Sequence, residues 1–208
     1  MQIAIIANGD VGNYAATKKK LQCADHIVAC DGGLRHAEIM SVWPDAIIGD
    51  LDSAPSNYLS ACKLRGIPLH TYPTEKDDTD FALAMTYALA MSASSIIIFG
   101  ALGGRIDHTV ANFHVLAMAQ KIPAEIWDVN TSVQIVFDRL CLQQEDYKTI
   151  SLIPLSTEVA GIKTQGLVYP LSGETLRLGE VRGVSNCFNK NEACIVIKSG
   201  VLLAIRSK

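Results

Sequence analysis

The chain has 208 residues, of which 49% are hydrophobic and 19% are charged, and its formal net charge is −3. A chain of this length can bury the core of one large domain or of two small ones. The charge excludes a broad basic surface, so we expect no nucleic-acid partner, whereas a small anionic ligand needs only a few arginines and backbone amides.

Up to about residue 130, short apolar strands alternate with segments of helical length. The predicted strands are Gln2–Ala7, His26–Cys30, Ala46–Ile48, Pro68–Tyr72, Ser95–Phe99 and Ala124–Trp127. The predicted helices lie between them, near residues 13–22, 33–41, 55–65, 79–92 and 108–120. This alternation predicts a mostly parallel sheet with helices on both faces, an architecture that binds ligands beyond the carboxyl ends of its strands.

The segment after the fourth predicted strand carries the clearest helical pattern. Phe81, Met85 and Ala88 recur at the spacing of one helical face. Thr79 or Asp80 is expected at the N-cap, because a short side chain with an oxygen can accept from a free amide of the first turn. A helix is therefore predicted to begin at the end of an acidic loop.

The chain changes character after Asn130. Its segments become short and rich in β-branched residues, with Gly, Pro or Ser between them, and no convincing helix is found. The predicted strands include Ser132–Phe137, Thr149–Pro154, Ala193–Lys198 and Val201–Arg206. The last two flank Ser199-Gly200 and are predicted to pair as a hairpin with a two-residue turn. We therefore predict an α/β domain over residues 1–130, followed by a smaller all-β domain, a sandwich or a barrel, over residues 131–208.

The chain shows no signal for a membrane or for export. No stretch approaches the roughly 20 apolar residues of a membrane span, and residues 1–10 contain no basic leader. The cysteines include no C-x-x-C pair and stand mostly in apolar runs, so reduced structural thiols are favoured over disulfides or zinc ligands. These features predict a cytoplasmic protein without membrane contact. The six cysteines are Cys23, Cys30, Cys62, Cys141, Cys187 and Cys194.

Acidic residues follow several of the predicted strands. Asp31 follows the second strand, Asp50 and Asp52 follow the third, Asp80 comes after the fourth and Asp107 after the fifth. In a parallel sheet these positions share one edge, where crowded carboxylates repel unless a cation offsets their charge. In an extended segment Asp50 and Asp52 would face the same way, and their oxygens suit a hard ion such as Mg²⁺. A solvated turn with capping aspartates is the alternative for this segment.

Glycine-rich turns complement these acids. Asp31-Gly32-Gly33 lies between a strand and a helix, where backbone amides without side chains can approach a phosphate. Gly103-Gly104-Arg105 follows the fifth strand in the same way and adds a guanidinium group that matches phosphate oxygens. Neither run is a Walker A loop, and no G-x-G-x-x-G run opens a helix. A nucleotide site at this edge would therefore be of another kind.

The ordered set of these runs resembles the thiamine pyrophosphokinase family along nearly the whole chain. The matching blocks are Asp31–Gly33, Pro44–Ser53, Thr79–Phe81, Gly103–His108, Gly166–Leu171 and Gly183–Asn186. The resemblance implies an enzyme that transfers a diphosphate from ATP to the hydroxyl of thiamine with the help of Mg²⁺. It also implies a homodimer in which an α/β nucleotide-binding domain precedes a β-sandwich domain, with active sites at the subunit interface.

The resemblance further implies roles for individual residues. The expected Mg²⁺ ligands are Asp50, Asp52 and Asp80. The expected ATP contacts are Asp31, Gly32, Gly33, Gly103, Gly104, Arg105 and Asp107. The expected thiamine contacts are Tyr169, Ser185 and Asn186. The catalytic set is Asp50, Asp52, Asp80 and Asp107, and Asp80 or Asp107 is the candidate for the base that accepts the hydroxyl proton.

Two alternatives to this function remain open on the sequence. The first is a diphosphokinase that acts on another small hydroxylated acceptor, such as a pterin or a sugar phosphate. The second is a non-catalytic sensor of thiamine or nucleotide, although a pure binder has no need of several mutually repelling carboxylates. A comparison of AMP release with thiamine and with the other acceptors separates these possibilities.

Overall fold

All 208 residues, Met1–Lys208, are described by the computed structural model. They form two units, Met1–Val129 and Asn130–Lys208. No helix of the chain is both long enough and apolar enough to cross a membrane.

A six-stranded parallel sheet forms the centre of the first unit. Its strands are β1 (Gln2–Ile6), β2 (His26–Cys30), β3 (Ala46–Gly49), β4 (Leu69–Thr71), β5 (Ser95–Phe99) and β6 (Ala124–Trp127). Their order is β6-β5-β1-β2-β3-β4, and every neighbouring pair is parallel. Ile3, Ile5 and Ile6 of β1 are fully buried, which is typical of a strand covered on both faces.

Five helices connect these strands. They are α1 (Tyr14–Leu21), α2 (Leu34–Met40), α3 (Ser56–Leu64), α4 (Asp80–Ala90) and α5 (Ile106–Leu116). Short 3-10 turns at Asp31–Gly33 and Ala117–Ala119 precede α2 and follow α5. The Thr79 hydroxyl accepts a hydrogen bond from the Ala82 amide at 3.2 Å. Of the two predicted candidates, Thr79 therefore caps α4 and Asp80 is its first residue.

The parallel strands of this unit end at one edge of the sheet. β1 leads to β2 on one side, whereas β5 leads to β6 on the other, so the direction of winding reverses between β1 and β5. Open sheets of this kind bind ligands in the crevice at such a switch point. The loops that follow β1, β2 and β5 therefore border the expected crevice.

The second unit contains eight strands in two antiparallel sheets. The strands are β7 (Thr131–Val136), β8 (Arg139–Gln143), β9 (Thr149–Pro154), β10 (Glu158–Gln165), β11 (Ser172–Arg177), β12 (Asn186–Cys187), β13 (Glu192–Val196) and β14 (Leu202–Ser207). One sheet has the order β12-β9-β14-β7 and the other β11-β10-β13-β8. A buried cluster that includes Leu152, Val159 and Ile195 draws side chains from both sheets, so the unit is a sandwich. The predicted fold class, an α/β unit followed by a smaller all-β unit, is confirmed.

The hairpin predicted around Ser199-Gly200 is wrong. β13 pairs with β8 and β10, whereas β14 pairs with β7 and β9 in the other sheet. Ile195 on β13 and Leu202 on β14 belong to the same buried cluster. Two apolar strands around a short turn show the same sequence pattern whether they pair side by side or face each other across a core. Here Ser199-Gly200 carries the chain from one sheet to the other.

The prediction that all cysteines are reduced is also wrong. Cys141 and Cys194 form a disulfide bond. They stand directly opposite each other on the antiparallel pair of β8 and β13, which places their sulfur atoms within bonding reach. The two cysteines are 53 positions apart in the chain, so the sequence alone does not reveal this register. The free cysteines are Cys23, Cys30, Cys62 and Cys187.

Candidate active site

Three aspartates meet at the carboxyl edge of the parallel sheet. Asp31 follows β2, and Asp50 and Asp52 follow β3. Their carboxylate oxygens lie within 4.8 Å of one another, which is close enough for a shared cation. The structure thus brings Asp50 and Asp52 together, and Asp31, expected to contact ATP, belongs to the same group.

The backbone between Asp50 and Asp52 is a turn and not the extended segment that the sequence predicts. β3 ends at Gly49, and Leu51 has a φ of +66°. The Asp52 amide donates to Asp50 Oδ1 at 3.3 Å, because an aspartate side chain readily bonds a backbone amide two residues on. Leu51 nevertheless packs on the core, as expected. The two carboxylates reach the same place by a different conformation.

Gly49 allows these acids to approach the end of β3. Its φ is +145°, a value that residues with a side chain rarely adopt. A Cβ at this position would lie 2.9 Å from Asp31 Cβ and 3.1 Å from Asp80 Cγ. Asp80, the first residue of α4, therefore packs against the same edge as Asp31.

Asp31 is the most buried member of the acidic group. Burial raises the pKa of Asp31, and the charges of Asp80 and Asp50 add to that rise, while hydrogen bonds from backbone amides oppose it. One of these bonds comes from Ser53, whose amide lies 3.2 Å from Asp31 Oδ1. The repulsion between these carboxylates indicates that the site lacks enough positive charge to balance them.

Lys76 supplies part of that positive charge, and the sequence analysis did not identify it. Its Nζ lies 3.3 Å from Asp50 Oδ2 and 3.1 Å from Asp80 Oδ1. Burial acts to raise the pKa of Asp50, but the Asp52 amide and the Lys76 ammonium group lower it below its usual value. Burial acts to lower the pKa of Lys76, but the contacts with Asp80 and Asp50 raise it on balance.

One carboxylate oxygen in this group has no hydrogen bond. Asp80 Oδ1 is buried, and its contact with Lys76 lacks the geometry of a hydrogen bond. Lys76 gives this oxygen an ion-pair partner at 3.1 Å, and a metal ion would add a ligand bond to it. All of the candidate metal-ligand atoms in this group are carboxylate oxygens, which suits Mg²⁺. The residues present therefore fit the ion that the family resemblance implies.

A cavity of about 400 Å³ opens beside these acids at the switch point of the sheet. It is bordered by the loops after β1, β2 and β5 and by the start of α4. The predicted site residues that line it are Asp31, Asp80, Gly103, Gly104 and Arg105. The lining residues that the sequence analysis did not single out include Asn8, Asp10, Arg35, Ser53, Thr109 and Asn112. Its size and its mixed lining are those of a site for a small molecule.

Asp10 holds the glycine-rich loop on one side of the cavity. Asp10 Oδ2 accepts a hydrogen bond from the Gly104 amide at 3.0 Å, and the Asp10 amide donates to the Leu102 carbonyl at 2.8 Å. Gly103 has a φ of +76°, and a Cβ there would collide with Asp10 Oδ2. The sequence did carry a signal for this residue, because Asp10 follows β1 as the other acids follow their strands.

Arg105 and Asp107 bind each other rather than the acidic group. The Arg105 guanidinium group donates to both oxygens of Asp107, at 3.2 and 2.6 Å, and both side chains are exposed. The hydrogen bond from Arg105 is the main reason that the pKa of Asp107 falls to about 2. This low pKa belongs to the paired state of the free protein, so both Asp80 and Asp107 stay candidates for the proton acceptor.

Gly32 and Gly33 are buried and do not line the cavity. A Cβ on Gly32 would meet the Asn8 side chain at 2.3 Å, and a Cβ on Gly33 would meet the Ile6 carbonyl at 2.2 Å. The structural reason for these glycines is therefore close packing against the end of β1. Their expected contact with ATP stays a prediction.

Arg35 and His36 of α2 reach the loop after β1. An Arg35 guanidinium nitrogen donates to the Asn8 carbonyl at 3.0 Å. His36 Nε2 lies 2.8 Å from the Gly9 carbonyl and its Nδ1 lies 2.8 Å from the Tyr14 hydroxyl. Burial lowers the pKa of His36, which favours a neutral ring that donates to Gly9 and accepts from Tyr14. No motif in the sequence marks either residue.

In the second unit, Asn186 holds the loop that presents Tyr169. Asn186 Oδ1 accepts from the Tyr169 amide at 3.0 Å, and its Nδ2 donates to the Tyr169 carbonyl at 2.7 Å. Asn186 is buried, whereas Tyr169 is 69% exposed. Ser185 is exposed, has a φ of +59° and donates its amide to Ser151 Oγ at 3.0 Å. Asn186 therefore acts on the backbone of the loop, and the Tyr169 ring is free to meet a ligand.

Comparisons with known proteins agree with this two-unit arrangement. The model of the "Thiamin pyrophosphokinase, catalytic domain" matches residues 17–127, and that of the "Thiamin pyrophosphokinase, vitamin B1 binding domain" matches residues 139–202. The thiamine pyrophosphokinase of Bacillus subtilis is 31% identical over 172 residues, which cover 80% of this chain and 79% of that protein.

Solved structures give the same result. A crystal structure of the Bacillus subtilis thiamine pyrophosphokinase has a TM-score of 0.88 and 25% identity, and the match covers 100% of this chain and 99% of that one. The yeast thiamin pyrophosphokinase is 16% identical with a TM-score of 0.81, covering 100% of this chain and 86% of that one, and it shows the same fold.

The catalytic model matches the unit with the acidic edge and the cavity, and the vitamin B1 model matches the sandwich. Together they define the class of the protein as a transferase of the kinase type. The chain belongs to the thiamine pyrophosphokinase family.

Proposed function

We propose that this protein transfers the diphosphate group of ATP to the hydroxyl of thiamine and so forms thiamine diphosphate and AMP. Family membership supports the reaction. One observation on this chain carries the proposal: four carboxylates gather at the carboxyl edge of a parallel sheet, and two of them, Asp31 and Asp80, line a cavity at its switch point. The four residues are Asp31, Asp50, Asp52 and Asp80.

Asp50, Asp52 and Asp80 would hold Mg²⁺, and Asp31 lies close enough to assist them. When bound, the ion offsets negative charge on the phosphate oxygens. The charge of the acidic edge explains the need for such a cation, because the Lys76 ammonium group brings one positive charge and contacts two of the four carboxylates.

The remaining groups of the cavity would orient the triphosphate. The amides of Gly103 and Gly104 lie on a loop that Asp10 holds in place, and Arg105 stands at its end with a guanidinium group suited to phosphate oxygens. Arg105 is paired with Asp107 in the free protein, so binding of phosphate would exchange one anionic partner for another. A preorganised loop of this kind lowers the cost of ordering the nucleotide.

The reaction itself is an in-line displacement. The thiamine hydroxyl oxygen attacks the β-phosphorus, the bond from that phosphorus to the oxygen bridging to the α-phosphate breaks, and AMP leaves with the oxygen. The hydroxyl proton passes to a carboxylate, for which Asp80 and Asp107 are the candidates. Proton transfer by a placed base typically contributes about 10²–10⁴-fold to the rate.

The sandwich unit would supply the thiamine contacts. Tyr169 presents an exposed ring on a loop held by Asn186, and the thiazolium of thiamine is a cation. The stacking of a cation on an aromatic face contributes roughly 0.5–2 kcal/mol. We assign Tyr169, Ser185 and Asn186 to this part of the site, with Asn186 acting through the loop.

The test is incubation of the protein with ATP, Mg²⁺ and thiamine, followed by chromatographic measurement of thiamine diphosphate and AMP with and without a chelator. We expect both products in equal amounts and their loss on chelation. Release of AMP with a pterin or a sugar phosphate, but not with thiamine, would contradict the assigned acceptor. Tight binding of thiamine without consumption of ATP would contradict catalysis.

Asp50→Asn tests the role of Asp50 as a metal ligand in the same assay. It keeps the size of the side chain and removes its charge, so we expect turnover to fall by at least 10³-fold while the circular dichroism spectrum stays that of the native chain. AMP release close to the native rate would refute the role of Asp50 as a metal ligand.

We further propose that the protein is a cytoplasmic homodimer with active sites at the subunit interface. The family resemblance supports the dimer, and the proposed use of ATP supports the cytoplasmic location. Light scattering that gives twice the 22.4 kDa of one chain supports the dimer, and a mass of one chain contradicts it.

A further inference from the structure

Lys76 lies on the segment between β4 and α4 and reaches back to the acidic edge. Its Nζ contacts Asp50 Oδ2 at 3.3 Å and Asp80 Oδ1 at 3.1 Å, and it donates to the Pro73 carbonyl at 3.2 Å. Its side chain is only 15% exposed. The ammonium group is therefore held between two carboxylates and largely out of solvent.

An ammonium group is an incomplete partner for this set of acids. It brings one positive charge to a group of four carboxylates, those of Asp31, Asp50, Asp52 and Asp80. It also leaves Asp80 Oδ1 buried without a hydrogen bond, although the two atoms are 3.1 Å apart. A divalent ion would supply both the missing charge and the missing ligand bond.

We propose that Lys76 is a positioning residue that serves as the counter-cation of Asp50 and Asp80 in the free protein and gives up these carboxylates when a divalent ion and the nucleotide bind. The inference rests on the proposed function, because it takes the acidic group to be the metal site. On displacement the ammonium group turns to the phosphate oxygens of the nucleotide, which offer it new charge-assisted hydrogen bonds.

This arrangement links the binding of the two ligands. A divalent ion that binds alone must displace Lys76 without giving it a new partner, so it binds weakly. With the nucleotide present, the displaced ammonium group regains an anionic partner, so ion and nucleotide each favour the other. Lys76 thereby keeps the site from filling with metal before the nucleotide arrives.

The experiment measures Mn²⁺ binding by electron paramagnetic resonance, with and without a non-hydrolysable ATP analogue, for the native chain and for Lys76→Met. Methionine keeps the length and apolar stem of lysine and removes its charge. We expect Lys76→Met to bind Mn²⁺ about tenfold more tightly in the absence of nucleotide, and the gain in Mn²⁺ affinity caused by the analogue to shrink by a similar factor. Lys76→Arg retains a cation and should preserve most of the native coupling.

Lys20→Met is the matched control. Lys20 also contacts a carboxylate, that of Glu125 at 3.9 Å, but this carboxylate does not belong to the acidic group. Its removal should leave Mn²⁺ affinity and its dependence on nucleotide unchanged.

Two outcomes would overturn the inference. One is an unchanged or weaker Mn²⁺ affinity in a folded Lys76→Met protein, which is the result expected if Lys76 has only a structural role. The other is native coupling between Mn²⁺ and the ATP analogue in that variant. Failure of the proposed function is recognised separately, because Asp50→Asn would then bind Mn²⁺ as the native chain does and the native chain would form no thiamine diphosphate.

Discussion

At Gly49 the chain passes between Asp31 and Asp80 with a φ of +145°. Gly49→Ala would add a Cβ 2.9 Å from Asp31 Cβ in a conformation that costs an L residue about 1–3 kcal/mol. We expect this variant to lower the free energy of unfolding by at least that amount and to reduce turnover by more than tenfold, since the carboxylates must move apart. Urea unfolding and AMP release measure the two effects.

Gly66→Ala is the control for this prediction. Gly66 also has a positive φ, of +73°, but a Cβ there would meet nothing within 4 Å. It should cost stability through backbone strain alone and leave turnover native. Equal losses of turnover in the two variants would show that the acids do not depend on Gly49.

His36 gives a prediction for the pH dependence of stability. Burial lowers the pKa of His36 in the folded chain, whereas an unfolded histidine titrates near 6.5. Its contribution to stability is therefore complete above about pH 6.5 and is lost as the pH falls toward the lower pKa of the folded state. Arg35 acts in the same direction as burial, while the Gly9 carbonyl and the Asp10 charge oppose it.

The measurement for His36 is urea unfolding at pH 8 and pH 5.5. We expect the native chain to lose stability between these values and His36→Gln to lose less, because glutamine keeps a donor for Gly9 but does not titrate. His114→Gln, at an exposed position of α5, should behave as the native chain does. An unchanged pH dependence in His36→Gln would contradict the prediction.

At the scale of elements, the loop before β11 depends on one side chain. Asn186 makes two hydrogen bonds to the backbone of Tyr169 and accepts a third from the Cys187 amide. Asn186→Ala would free the Tyr169 loop, with a loss of about 1–3 kcal/mol from the buried groups left without partners. We expect KM for thiamine to rise by about tenfold while KM for ATP stays native, as steady-state kinetics would show.

Asn191→Ala removes an amide from an exposed position of the same unit and should leave both KM values native. If Asn186→Ala changed the KM for ATP and not that for thiamine, Tyr169 would not belong to the thiamine site.

At the scale of the whole molecule, the disulfide ties β8 to β13 through Cys141 and Cys194, which are 53 positions apart in the chain. A crosslink of this kind typically stabilises a fold by about 2–4 kcal/mol, mainly by restricting the unfolded chain. We expect dithiothreitol to lower the guanidinium concentration at the midpoint of unfolding of the native protein, and circular dichroism measures this midpoint. Cys141→Ser should have the lower midpoint with or without the reductant, whereas Cys23→Ser, which removes a free exposed thiol, should keep the native response. A midpoint of the native chain that does not change on reduction would be evidence against this stabilisation.

The sequence was sufficient for the features that depend on local pattern. Apolar runs and caps gave the parallel strands and helices, and the placement of Asp50 and Asp52 after β3 predicted their approach. The features that the sequence does not predict depend on strand register and on tertiary contacts. Lys76 and Asp80 are only four residues apart, but Lys76 reaches Asp50 because the end of β3 and the β4–α4 segment are neighbours. The pairing of Cys141 with Cys194, and the separation of β13 from β14 into two sheets, follow from strand partners distant in the chain.

The position of β1 in the sheet has a consequence for synthesis. β1 leaves the ribosome before the other strands of its sheet, yet one of its two neighbours is β5, which ends at Phe99. Until β5 has emerged, β1 keeps an open edge of unpaired amides and carbonyls, flanked by apolar side chains. Pairings between such distant segments form slowly and expose nascent chains to aggregation. The crevice between the loops after β1 and β5 can therefore exist only once β5 has been synthesised and has paired with β1.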